Sequence, residues 1–140
     1  MESVDYVNHF IAVAPDSSAS TGLTPPHKEQ PTVAARQFAM VAEHPYEYTS
    51  GDVIFTVWAD RRDIPEADRP AARAEYYSKG QACMRSSDLG KRYGWGLHSD
   101  AEGRLAAYAV DSPEYAAFLA GQSPMDGSTV AVAAAMRSRR

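Results

Sequence analysis

Cys83 and His98 are the residues whose chemistry is easiest to name. Cys83 is the single cysteine of the 140-residue chain. Lys79, Arg85, Lys91 and Arg92 flank it in sequence, and cationic neighbours lower a thiol's pKa and favour the reactive thiolate. His98 would act as acid and base if the fold brings it to the thiol. A thiol-dependent enzyme or redox protein is therefore one expectation. The plainer alternative makes Cys83 a small buried residue after a helix stop, as free cysteines often are. One cysteine and one distant histidine are a weak pair, so the residue types favour packing.

A second chemistry lies in the basic residues. The net charge is −4. Residues 1–78 carry six basic and twelve acidic side chains, whereas residues 79–140 carry eight basic and six acidic. An acidic whole argues against nucleic-acid binding. Arg85, Lys91, Arg92 and the terminal Arg137, Arg139 and Arg140 fall in the two segments where cations prevail. The guanidinium fork suits bidentate contact with phosphate or carboxylate. Ser86 and Ser87 add donors at a helix start. Gly94 and Gly96 would admit a ligand to the backbone, with Tyr93 or Trp95 as a stacking ring. The expected partner is a small anionic ligand on this basic surface, provided the two segments converge in space.

Other sites have little support. His9, His27, His44 and His98 form no i,i+4 pair on a helix, so no metal site is expected. Gly94-Trp95-Gly96 lacks the third glycine of a dinucleotide fingerprint, and Gly90-Lys91 lacks the upstream glycine of a phosphate loop. No cofactor is expected. Tyr46, Tyr48, Tyr76, Tyr77, Tyr93, Trp58 and Trp95 would line a pocket or fill the core, and packing is the commoner use. A non-catalytic protein-interaction module is a further option, and a homodimer is compatible with it.

These residues need elements to hold them. Residues 5–14 alternate as a strand with a strongly apolar face, ended by Pro15. A polar loop spans residues 15–30. Pro31 opens a helix that runs to about Glu43, ahead of Pro45. Thr49 to Asp52 read as a turn, and Val53 to Ala59 as an interior strand apolar on both faces. Asp68 caps a helix from Arg69, which Gly80 stops in the left-handed conformation. Ser87 caps a single turn. Trp95–Ser99 and Arg104–Val110 form a hairpin. Ser112-Pro113 starts a helix. Val130 to Met136 reads as a last strand, and residues 137–140 as a basic tail.

The expected fold is a single α+β domain over residues 1–140. It has two layers, with a mainly antiparallel sheet of four or five strands and about three helices. Its core draws on Phe10, Val13, Phe38, Val41, Ile54, Phe55, Val57, Leu97, Tyr108 and Phe118. The lone cysteine and the acidic N-terminus without a signal pattern suggest the cytoplasm. No run approaches the ~20 apolar residues of a membrane helix.

Three segments carry a resemblance: Ser78-Lys79-Gly80-Gln81-Ala82-Cys83, Lys91 to His98, and Ala135 to Arg140. Asn8-His9-Phe10-Ile11 and Pro45-Tyr46 add to it. Together they resemble the DUF6157 family, short and mostly bacterial proteins of unknown function. The resemblance runs nearly the whole length and implies one domain. It implies no activity, substrate or cofactor.

Overall fold

The computed structural model describes residues 1–138. Its strands are β1 (His9–Ala12), β2 (Trp95–Ser99), β3 (Leu105–Ala109) and β4 (Ala131–Ala134). Its α-helices are α1 (Val33–Val41), α2 (Ser50–Arg61), α3 (Arg69–Tyr77), the single turn α4 (Asp88–Lys91) and α5 (Pro113–Leu119). They form an α+β fold around a four-stranded sheet of order β3-β2-β1-β4. β2 pairs antiparallel with both β3 and β1, and β4 lies parallel to β1. Among the described residues no helix is long and apolar enough to cross a membrane.

β1 is shorter than its alternation suggested, and it feeds two cores. Phe10 and Ala12 pack with Tyr115 and Phe118 of α5. Ile11 points the other way, toward Val41 of α1, Val53 of α2 and Leu89 of α4. Successive side chains on a strand face opposite sides, so both faces of the sheet are covered. Phe10, Val41, Phe55, Val57, Leu97 and Phe118 are buried as expected. Val13, Phe38, Ile54 and Tyr108 are only partly buried and pack around these cores.

The main departure is residues 53–59, which are helix and not strand. Thr49 accepts from the Asp52 N–H, and the Asp52 carboxylate accepts from the Thr49 N–H. This capping box satisfies two orphan donors and commits the segment to helix. The apolar residues on every side then reflect burial, since α2 packs against both α1 and α3. Arg73 of α3 secures the same end of α2. Its guanidinium reaches Asp52 at 2.9 Å and Glu2 at 2.5 Å.

Smaller differences have local causes. α1 begins after Thr32, whose hydroxyl accepts from the Ala35 N–H, so the cap and not Pro31 sets its start. α3 ends at Tyr77 with a right-handed cap at Ser78. Gly80 does not take a positive φ, so it is not the left-handed stop. Ser87 and Ser112 cap α4 and α5 as expected.

Candidate functional site

The structure brings Lys91 and Arg92 to one cavity, and Arg85 does not line it. The Arg85 Nε donates to the Ala134 carbonyl at 2.7 Å, which ties that side chain to the edge of β4. Lys91, Arg92 and Tyr93 line a cavity of about 390 Å³ together with Ser17, Ser18 and Ser138. Asp16 lines it too and accepts from the Ser138 N–H, so a carboxylate sits among these cations. Arg137 is exposed. Arg139 and Arg140 lie outside the described residues.

Trp95 and the neighbouring glycines are already occupied by the chain itself. The Trp95 ring packs on Phe38, with centroids 5.2 Å apart, and its Nε1 donates to the Leu23 carbonyl. Gly94, at φ 77°, lies against the Thr21 carbonyl. Gly96 lies against the Phe10 and Tyr115 rings. The 15–30 loop and the core fill the space that a ligand was expected to use.

Cys83 and His98 do not come together as a catalytic pair. They line different cavities. The Cys83 thiol is 3.2 Å from the Tyr6 hydroxyl. Burial and that thiol push the Tyr6 phenol up to about 12. His98 is buried on β2, 4.3 Å from the Phe118 ring. Its Nδ1 lies 2.8 Å from the Tyr46 hydroxyl, which lies 2.8 Å from the Tyr108 hydroxyl.

Tyr46 reaches His98 because residues 46–49 run beside β3. The Tyr46 N–H donates to the Leu105 carbonyl and the Leu105 N–H to the Tyr48 carbonyl. Tyr46 sits at φ 59°, a conformation that costs on the order of 1–3 kcal/mol outside glycine. Burial and the Tyr108 hydroxyl keep its phenol protonated.

Burial also lowers the His98 pKa below the usual 6.5, against the opposing pull of Asp100 and Asp126. The folded state therefore binds this proton more weakly than the unfolded chain does. Its contribution to stability is complete above pH 6.5 and is lost as pH falls through the folded pKa. Urea midpoints are expected to drop as pH falls below about 6.5, and His98→Gln should flatten that part of the profile. A midpoint independent of pH in the native protein would refute this account.

A cleft lies between α1, α2 and the segment 81–88. It holds about 310 Å³. Trp58 and Tyr76, with centroids 4.7 Å apart, line it beside Ile54, Val57, Val33 and Ala34. Gln37, Arg61, Gln81 and Cys83 bring polar groups to the same walls. The Gln37 Oε1 accepts from the Ser87 hydroxyl at 2.5 Å, which fixes that amide. Trp58 was expected to be core and is instead partly exposed on this wall. Once Val53–Ala59 is a helix, Ile54, Val57 and Trp58 fall on one side of it at helical spacing. That periodicity was the signal available in the sequence.

Among the described residues no three His, Cys, Asp or Glu side chains gather closely enough to hold a metal. Fold and site together define a small α+β protein with an amphipathic cleft on its helical side. Residues 1–140 match the family of unknown function DUF6157, and the chain belongs to that family. No curated protein and no solved structure matches it.

Proposed function

We propose that the chain acts as one α+β domain that binds a small anionic ligand with a planar apolar body in the α1–α2 cleft. The observation that carries this reading is the meeting of an aromatic wall, Trp58 and Tyr76, with Arg61, which among the described residues forms no ion pair although Asp88 lines the same cleft. Ligand sites commonly combine apolar lining with a few fixed polar groups. An unpaired arginine favours an anionic end. This keeps the expected ligand chemistry and moves it from the 85–92 segment to the cleft.

Anilinonaphthalene sulfonate has both features and is a direct probe. In a Trp95→Phe protein, Trp58 is the sole indole. The dye should quench Trp58 fluorescence and brighten on binding. Val33→Phe, at the exposed rim of the cleft, narrows the entrance without adding an indole and should remove both signals while the melting temperature holds. Unchanged dye binding in that variant would overturn the assignment.

The position of Cys83 on the same wall favours a second reading, thiol chemistry inside the cleft. Iodoacetamide should then modify Cys83 in the folded protein, and the dye should slow that reaction. A thiol that reacts only after unfolding would remove this reading.

A further inference from the structure

Arg36 on α1 and Arg61 at the end of α2 line a second cavity, of about 480 Å³. Glu29, Asp60 and Asp63 line it too, yet neither arginine pairs with any of them. Asp60 is already engaged, with the Arg69 Nη2 at 2.8 Å. Two cations and two carboxylates therefore face one space without pairing across it.

The charge pattern selects the class of ligand. A plain anion would gain from Arg36 and Arg61 and lose to Glu29 and Asp63. A plain cation meets the reverse. A molecule carrying a carboxylate and an ammonium a few ångströms apart satisfies both signs. Its carboxylate takes N–H groups from a guanidinium fork, and its ammonium donates to the free carboxylates. Arg61 lines this cavity and the aromatic cleft alike, so a ligand anchored here can extend its body toward Trp58 and Tyr76.

We propose that this cavity binds the carboxylate and ammonium of an α-amino acid whose aromatic side chain occupies the cleft. This rests on the cleft being the ligand site. It adds what that reading leaves open: the second, cationic end of the ligand and the residues that receive each charge.

Titration calorimetry with L-phenylalanine, phenylpropionate and phenethylamine tests it. These share the ring and differ in which charges they carry. Phenylalanine should bind on the order of tenfold tighter than either relative, since each lost charge strands a partner. Arg61→Gln, at an exposed position, should erase that preference. Arg36→Gln should do the same, with circular dichroism confirming the fold.

Phenylpropionate binding as tightly as phenylalanine would overturn the zwitterion assignment while leaving the cleft as an anion site. If none of the three binds although the dye still enters the cleft, the amino-acid proposal fails alone. If the dye is excluded as well, the cleft reading fails with it.

Discussion

Phe118→Ala is expected to lower the unfolding free energy by about 3–5 kcal/mol, the usual cost of removing a buried phenyl ring. Phe118 has no exposed surface. It lies 5.0 Å from Phe10 and from Tyr108, and 4.3 Å from the His98 ring, all centroid to centroid. Truncation loses the transfer free energy of the ring and leaves a void between α5 and the sheet. The neighbours cannot close it easily, because His98 is held by Tyr46 and Phe10 lies on β1, between β2 and β4. Such a loss is a large share of the roughly 5–15 kcal/mol that stabilises most domains. In urea the midpoint should fall with little change in slope. A loss below about 1 kcal/mol would show that α5 does not seal this face.

Gly96→Ala should destabilise by about 1–3 kcal/mol, through overpacking and not through backbone strain. A Cβ there would run into the Phe10 ring and come within 2.7 Å of Tyr115. Gly96 lies in β2 opposite Tyr108, and among the described residues it is not one of the positive-φ glycines. The new methyl meets two buried rings that pack edge to face at 5.1 Å, and neither has room to retreat. Phe10→Leu should partly rescue the variant by shortening one ring contact. If the Gly96→Ala protein is as stable as the native one, or if Phe10→Leu adds its full cost on top, the close packing described for this corner is wrong. The same contact explains why Gly96 does not offer its backbone to a ligand.

Much of the fold was legible because it is decided locally. Ser87 and Ser112 cap helices with their own hydroxyls. Gly103, at φ 81°, turns the β2–β3 hairpin. Each feature lies within a few residues of the element it sets. The alternation in β1 and the last strand at Ala131–Ala134 were also readable. α2 was misread because burial between α1 and α3 leaves it without a polar face, so its composition mimics an interior strand. Its Thr49–Asp52 capping box was the local clue, and it outweighs the strand-like run of apolar side chains.

What the sequence by itself determined is the caps at Ser87 and Ser112, the hairpin turn, the family, and the supply of chemistry: one cysteine, four histidines, several arginines and many aromatic rings. Tertiary structure decided which of these meet. His98 and Tyr46 are 52 positions apart and are joined only because residues 46–49 run along β3. Arg36 and Arg61 belong to different helices, and only the packing of α1 on α2 brings them to one cavity. Arg85, by contrast, sits close to Lys91 and Arg92 in sequence, yet its side chain is taken by the Ala134 carbonyl. The physical reason is common to all three cases. Caps and turns are short-range hydrogen bonds that a local segment can satisfy alone. A site needs side chains from distant segments, and their convergence follows from how whole helices and strands bury their apolar faces.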